Sequence, residues 1–124
     1  MSTVLVVDDE TGERRTLMRL LAKEGYDTIG AGDGREALRT LEASTPDVIL
    51  LDLIMPQMDG LELLEALHAH PQWKALPVVV LTALSDTHTV NRARQLGAKA
   101  YLVKATFSVA EMIDHVHRYA AGHT

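Results

Sequence analysis

The chain has 124 residues and a formal net charge of −5, and 47% of its residues are apolar. This length suits one domain with its own core, and an acidic surface lacks the clustered lysine and arginine that nucleic-acid phosphates require. The absence of cysteine excludes disulfides, thiol nucleophiles and zinc–thiolate sites.

The first part of the chain alternates short apolar runs with helical patterns. Thr3–Val7 is a continuous β-rich run that predicts a buried strand, and three consecutive acids follow it at 8–10. A helix is predicted over residues 12–23, and a short strand at Asp27–Ala31. The next helix begins at a capping-box pattern headed by Asp33 and ends before a proline.

The rest of the chain repeats this alternation three times. Three further buried strands are predicted from apolar runs at Val48–Leu51, Val78–Thr82 and Ala100–Val103. A helical pattern follows each run, and these patterns begin at the capping box of Asp59, at the polar segment 85–89 and at the capping box of Ser108.

Five strands that alternate with five helices predict an α/β fold with a parallel sheet and right-handed crossovers. No linker, repeat or low-complexity tract interrupts the pattern, so residues 1–124 are predicted to form one domain without an output domain. The start at Met1 and the polar ending at 122–124 lead us to expect an intact chain and not a piece of a longer one.

Polar side chains follow four of the predicted strands at their carboxyl ends: Asp8, Asp9, Asp52, Thr82 and Lys104. If these strands are neighbours, the side chains converge on the edge of the sheet where open α/β folds bind their ligands. Three carboxylates in one cleft repel one another, so they raise one another's pKa or recruit a cation.

The type of ligand indicates which cation and which reaction this group suits. Oxygen ligands without cysteine favour Mg²⁺, which takes one or two carboxylates and a phosphate oxygen. A carboxylate can also take up a phosphoryl group as the nucleophile and form an aspartyl phosphate. Lys104 would then act as a point charge toward the phosphoryl oxygens, and the Thr82 hydroxyl would donate to another.

Four motifs carry a resemblance to a known family: Val-Asp-Asp-Glu at 7–10, Leu-Asp-Leu-Ile-Met-Pro-Gln-Met-Asp-Gly at 51–60, Leu-Thr-Ala at 81–83 and Gly-Ala-Lys-Ala-Tyr-Leu-Val-Lys at 97–104. Together they resemble the receiver domain of bacterial two-component response regulators, of the single-domain CheY-like kind. The resemblance covers essentially the whole chain. It implies a flavodoxin-like doubly wound sandwich with helices on both faces and strand order 2-1-3-4-5.

The resemblance also implies a role for each site residue. Asp52 corresponds to the phosphoacceptor, and Lys104 to the lysine that contacts the phosphoryl group. Asp9, Asp52 and the backbone carbonyl of Ile54 correspond to direct contacts of Mg²⁺ (or Mn²⁺), and Asp8 to a contact made through water.

Two further residues correspond by resemblance to the parts that report phosphorylation. Thr82 corresponds to the switch hydroxyl, and Tyr101 to the aromatic residue whose orientation reports the switch. The implied donor is a phosphohistidine on a sensor histidine kinase or a histidine phosphotransfer protein. The implied output is the binding of a downstream protein at the face formed by residues 86–119, with no direct contact to nucleic acid.

Two local features modify these expectations. The family commonly has proline after the site lysine, often with a cis bond before it, whereas Ala105 follows Lys104 here. A cis bond before a residue other than proline is disfavoured by ~2.5–4 kcal/mol, so either the fold sustains that strain or the turn is trans. Ile54 and Leu84 are both apolar at positions that, in the family, flank the path of hydrolytic water, and we expect slow loss of phosphate.

Two other functions compete with this interpretation. A phosphohydrolase using Asp52 usually has a second acid two residues after its nucleophile, where this chain has Ile54. A receiver-fold binding module that no longer needs phosphate would lack one of the site acids or the lysine. On the first helix, three arginines either contact a kinase or belong to a solvated face: Arg14, Arg15 and Arg19.

The sequence gives no indication of a membrane protein. The amino terminus lacks the basic and long apolar regions of a signal peptide, and no apolar run approaches the ~20 residues that span a bilayer. We therefore expect a cytoplasmic protein without membrane insertion.

Overall fold

The computed structural model of the chain describes residues 2–122. Its five strands are β1 (Thr3–Val7), β2 (Asp27–Ala31), β3 (Val48–Leu51), β4 (Val78–Thr82) and β5 (Ala100–Val103). Its five helices are α1 (Thr11–Lys23), α2 (Gly34–Ala43), α3 (Gly60–Ala69), α4 (Thr87–Gln95) and α5 (Val109–Gly122). The remaining ends of the predicted domain, residue 1 and residues 123 and 124 of the polar ending, lie outside the described part.

The five strands form one parallel sheet in the order β2-β1-β3-β4-β5. This arrangement confirms the predicted fold class and strand order, with every crossover made through a helix. β1, β3 and β4 lie in the interior of the sheet and are almost wholly apolar, because a strand covered on both faces has no side that meets water.

Each face of the sheet has its own hydrophobic core. On one face, Leu5, Ile49 and Val80 pack against apolar side chains of α2, α3 and α4. On the other face, Val6 and Leu50 pack against side chains of α1 and α5. Successive residues of a strand point to opposite faces, so a continuous apolar run supplies both cores at once.

Local hydrogen bonds begin the helices, mostly as the sequence predicts. The capping boxes headed by Asp59 and Ser108 are both complete. The third expected box is only half formed: Asp33 accepts from the backbone nitrogen of Glu36, but the Glu36 carboxylate accepts from Gly32 and not from Asp33. A carboxylate at a helix start can accept from any unpaired amide within reach, and Glu36 accepts from the amide of Gly32.

The first helix begins one residue earlier than predicted, because Glu10 is its N-cap. The Glu10 carboxylate accepts hydrogen bonds from the backbone nitrogens of Gly12 and Glu13. These two bonds lower the pKa of the Glu10 carboxyl. The third acid after β1 therefore starts a helix, while the two acids before it are left at the end of the sheet.

Backbone hydrogen bonds fix the strand ends in register. Asp8 donates its backbone N–H to Ala31, and Asp52 donates its own to Val7. On the far side of β3, the backbone nitrogen of Lys104 donates to the carbonyl of Thr82. The carboxyl ends of the five strands thus lie side by side on one edge of the sheet. Within residues 2–122, no helix has both the length and the apolar character needed to cross a membrane.

Candidate functional site

Asp52 lies directly after β3 in a buried position, with 6% of its surface exposed. Its Oδ1 accepts hydrogen bonds from the hydroxyl of Thr82 at 2.8 Å and from the backbone nitrogen of Ile54 at 3.0 Å. Its Oδ2 lies 2.8 Å from the ammonium nitrogen of Lys104. Donors therefore hold both oxygens of this carboxylate, as a buried charge requires.

Three carboxylates meet at this edge of the sheet. Asp8, Asp9 and Asp52 each have a carboxylate oxygen within 4.8 Å of those of the other two. Asp8 is 2% exposed, whereas Asp9 lies at the surface. The group is thus open to water on one side and closed by the sheet on the other.

Lys104 brings the compensating positive charge from the end of β5. Its Nζ lies 2.8 Å from Asp52, 2.9 Å from Glu13 and 3.4 Å from Asp8. Burial alone would lower the pKa of Lys104, but the hydrogen bonds to Asp52 and Glu13 outweigh it and raise the pKa above its ordinary value. The lysine therefore carries its charge at any physiological pH.

The electrostatics of Asp8 differ from those of the lysine. Burial raises the pKa of its carboxyl, and a hydrogen bond from the backbone of Glu10 together with the charge of Lys104 opposes this only in part. Arg14 holds the backbone at this position by donating from Nη1 to the Asp8 carbonyl at 2.7 Å. The cluster thus contains an acid whose ionised form the protein alone does not fully stabilise.

The loop after Asp52 is shaped by its backbone. Gln57 adopts a left-handed conformation with φ of 64°. At Gly60, a Cβ atom would lie 2.6 Å from the carbonyl oxygen of Asp52, so only glycine fits there. The loop leaves Ile54 48% exposed, next to Asp52. Leu84, the second apolar residue predicted near the site, is half-buried and packs against the core under α2, α3 and α4.

Tyr101 lies on β5, beyond the cluster. Its hydroxyl donates to the carbonyl of Leu84 at 2.8 Å, in the segment that follows Thr82. Burial raises the pKa of the Tyr101 hydroxyl, and the charges of Asp86 and Asp52 add to the effect. Tyr101 is thus connected to Asp52 through the backbone between Thr82 and Leu84.

The sequence-predicted site residues fall into two groups. Asp8, Asp9, Asp52, Thr82 and Lys104 come together at one point, with the backbone of Ile54 at its rim. Tyr101 lies one contact further out. The bond between Lys104 and Ala105 is trans, as are all peptide bonds within residues 2–122, and the lysine still reaches Asp52.

The sequence analysis did not place two further residues at the site, and it considered Arg14 only as a contact for a kinase. Glu13 contacts Lys104, and Arg14 contacts the backbone of Asp8. Gly30 on β2 gives Arg14 its room, because a Cβ atom at this position would lie 3.2 Å from Cδ of the arginine. The available signal was position, since both residues lie in the first turn of the helix that follows the acidic strand end.

The donor set fits a hard divalent cation. Its members are carboxylate oxygens of Asp8, Asp9 and Asp52, close enough to share one ion, and one side is open to water. Mg²⁺ prefers such oxygen ligands and keeps several waters. A bound cation would also offset the charge of Asp8, whose ionised form burial disfavours.

Comparison with known proteins gives consistent matches over nearly the whole chain. A family model described as "Response regulator receiver domain" matches residues 4–117. The transcriptional regulatory protein PdtaR of Mycobacterium tuberculosis is 41% identical over 114 residues, which cover 91% of this chain and 54% of that protein. The chain thus spans about half the length of that relative.

Two further matches agree with the chain in length. Sporulation initiation phosphotransferase F of Bacillus subtilis is 34% identical over 116 residues, which cover 94% of this chain and 91% of that protein. The solved structure of the Francisella response regulator 1452 receiver domain superimposes with a TM-score of 0.91 at 33% identity and covers 100% of both chains.

Proposed function

We propose that Asp52 takes up a phosphoryl group and so controls the binding of a partner protein. The premise is that the chain belongs to the response regulator receiver domain family. Proteins of this family are signalling proteins and not classical enzymes. The observation that carries the proposal is the position of Asp52, a buried carboxylate flanked by two acids, a hydroxyl and an ammonium.

The proposed chemistry is a transfer between two nucleophiles. The phosphorus–nitrogen bond of a donor phosphohistidine breaks while a bond forms between phosphorus and an oxygen of Asp52, and the departing imidazole regains a proton. Mg²⁺, held by Asp9, Asp52 and the Ile54 carbonyl and by Asp8 through water, would offset the negative charge of the transferring group. Lys104 donates to a phosphoryl oxygen and holds it in place.

The switch is proposed to start at Thr82. In the unphosphorylated protein its hydroxyl donates to Asp52. A phosphoryl group has more oxygens and more charge than the carboxylate, so the hydroxyl moves to it. The segment from Thr82 to Leu84 moves with it, and the hydrogen bond from Tyr101 to Leu84 carries the change to β5.

The proposed partners follow from this route. A sensor histidine kinase or a histidine phosphotransfer protein supplies the phosphoryl group, and a downstream protein binds the face formed by residues 86–119. This face includes α4, β5 and most of α5, and Val109 at the start of α5 is 42% exposed.

The two other functions considered from the sequence make different predictions. A phosphohydrolase would release inorganic phosphate continuously from phosphate esters. A phosphate-independent binding module would bind its partner equally well after Asp52→Ala. Ile54 lies where a phosphohydrolase would place its second acid. The three site acids that a phosphate-independent module could lose are all in place.

Two-dimensional NMR of labelled protein tests the proposal. Acetyl phosphate with Mg²⁺ should shift the amide signals of Thr82, Leu84 and Tyr101, and a chelator added from the start should prevent the shift. Asp52→Ala should not respond. Identical spectra with and without acetyl phosphate in wild-type protein would contradict the proposal, and so would a full response in Asp52→Ala.

A further inference from the structure

Lys104 has a second strong partner besides Asp52. Its Nζ lies 2.9 Å from Oε1 of Glu13, almost as close as the 2.8 Å to Asp52. An ammonium group has three donors, and Asp8 at 3.4 Å is the third acid around it. Three carboxylates therefore surround this one ammonium group in the unphosphorylated protein.

The two main partners of the ammonium group differ in burial. The side chain of Asp52 is 6% exposed, whereas that of Glu13 is 37% exposed. Glu13 belongs to the first turn of α1, where its backbone nitrogen donates to the N-cap Glu10 at 2.7 Å. The carboxylate of Glu13 is thus presented from a fixed turn and not from a loose loop.

The ion pair between Glu13 and Lys104 changes the electrostatic field that an incoming anion encounters at the site. A free ammonium beside Asp52 would attract the oxygens of a phosphoryl donor, but an ammonium paired with Glu13 has much of its field cancelled. The cluster of Asp8, Asp9 and Asp52 has three carboxylates, and Glu13 adds a fourth next to the ammonium group of Lys104. The charge of Glu13 therefore opposes the approach of an anion. The roles proposed above for the other three acids do not involve Glu13.

We propose that Glu13 is a positioning residue that competes with the phosphoryl group for Lys104. Glu13 holds the ammonium group while Asp52 is unmodified, and phosphorylation draws the ammonium toward the phosphoryl oxygens and releases the Glu13 carboxylate. The contacts of the first turn of α1 thereby depend on whether Asp52 is phosphorylated. This inference rests on the proposed phosphorylation of Asp52, but it concerns a residue and an element that the proposed switch does not use.

The first test compares rates of phosphoryl uptake in Glu13→Gln and wild-type protein, measured by intact mass at saturating Mg²⁺. Glutamine keeps the size and shape of the side chain and removes only the charge. With limiting acetyl phosphate we expect uptake about 3- to 10-fold faster, mainly through a lower half-saturating concentration, because one negative charge close to the donor is removed. With phosphoramidate, which carries less negative charge, the acceleration should be smaller.

The matched control is Glu65→Gln. Glu65 also forms an ion pair at the surface, with Arg92 at 3.1 Å between α3 and α4, so its substitution changes the net charge equally. Glu65→Gln should leave the rate of uptake unchanged. A Glu13→Gln rate within twofold of wild type, an equal gain from both donors, or an equal gain in Glu65→Gln would overturn the inference.

A second measurement tests the contact between Glu13 and Lys104 in the unphosphorylated protein. The side-chain ammonium signal of Lys104, identified by its loss in Lys104→Ala, should shift in unphosphorylated Glu13→Gln and not in Glu65→Gln. An unshifted signal would overturn the inference. Failure of wild-type protein to gain mass would refute the proposed function itself, whereas normal uptake without acceleration in Glu13→Gln would refute only the role of Glu13.

Discussion

The ammonium nitrogen of Lys104 lies 2.8 Å from Oδ2 of Asp52, although Ala105 and not proline follows the lysine. The bond between Lys104 and Ala105 is trans. The backbone nitrogen of Lys104 donates to the carbonyl of Thr82, which extends the β4–β5 pairing by one residue and aims the side chain at the cluster. The turn therefore reaches the site without the cis bond that is common in the family.

Replacing Lys104 with alanine should weaken the response to phosphorylation more than phosphoryl uptake itself. Without the ammonium group, the phosphoryl oxygens lose a charge-assisted hydrogen bond. In the phosphorylated protein, the equilibrium constant for the switched conformation should therefore fall about tenfold. The measurement is the NMR shift of Tyr101 after acetyl phosphate and Mg²⁺. Lys99→Ala, an exposed lysine just before β5, is the control, and normal switching in Lys104→Ala would refute the role of the lysine.

Thr82→Ala should separate phosphorylation from switching. The Thr82 side chain is fully buried, so removing its hydroxyl lowers the free energy of unfolding by about 1–2 kcal/mol. Uptake of phosphate should continue, because Asp52 keeps its hydrogen bond from Ile54, but the amide signals of Leu84 and Tyr101 should no longer shift. Thr82→Ser keeps the hydroxyl and should restore the shift. A full response in the alanine variant would show that the hydroxyl is not the switch.

The phosphorylated protein should lose its phosphate slowly, and Ile54→Gln should speed the loss by about 2- to 10-fold. Ile54 is exposed beside Asp52 and cannot orient a water molecule, whereas an amide can accept or donate a hydrogen bond. The decay of the phosphorylated mass after removal of the donor gives the rate. Val109→Gln, a substitution of a similarly exposed residue, controls for a general effect of polarity. An unchanged or slower rate in Ile54→Gln would refute this expectation.

Asp8→Asn should stabilise the protein at neutral pH when a chelator is present. Burial raises the pKa of Asp8 in the folded protein above its ordinary value of 3.8. Its contribution to stability is therefore complete below that ordinary value and is lost as the pH rises through the raised pKa. Asparagine stays neutral throughout, so the gain in unfolding free energy should appear at pH 7 and disappear as the pH falls toward 3.8.

Chemical denaturation over that pH range measures this difference. The surface acid Asp9, changed to asparagine, should give a smaller gain than Asp8→Asn because it is already solvated. A gain from Asp8→Asn that does not vary with pH would contradict this explanation, as would a loss of stability at pH 7.

The sequence predicted the fold well because its signals are local and repeated. Continuous apolar runs such as Val48–Leu51 specify strands buried on both faces, and caps such as Asp59 specify where the helices begin. The convergence of the three site acids, Thr82 and Lys104 followed from the same pattern, since all five residues come at strand ends. The topology then determines which strand ends are neighbours.

What the sequence did not predict depends on contacts between side chains of different elements. The pairing of Glu13 with Lys104 joins the first turn of α1 to the end of β5, and no spacing rule connects positions so far apart. The half-formed cap of α2 and the N-cap role of Glu10 depend on which of several nearby amides donates to a carboxylate. Sequence pattern alone does not distinguish such neighbours.

Intact mass after incubation with acetyl phosphate and Mg²⁺ tests the central claim most directly. Wild-type protein should gain the mass of one phosphoryl group, and the gain should disappear when a chelator replaces Mg²⁺. Asp52→Ala should gain nothing, while Asp33→Ala, which removes a capping acid that is not part of the cluster, should gain as wild type does. Absence of a gain in wild-type protein, or a gain of equal size in Asp52→Ala, would contradict the assignment of Asp52 as the phosphoacceptor.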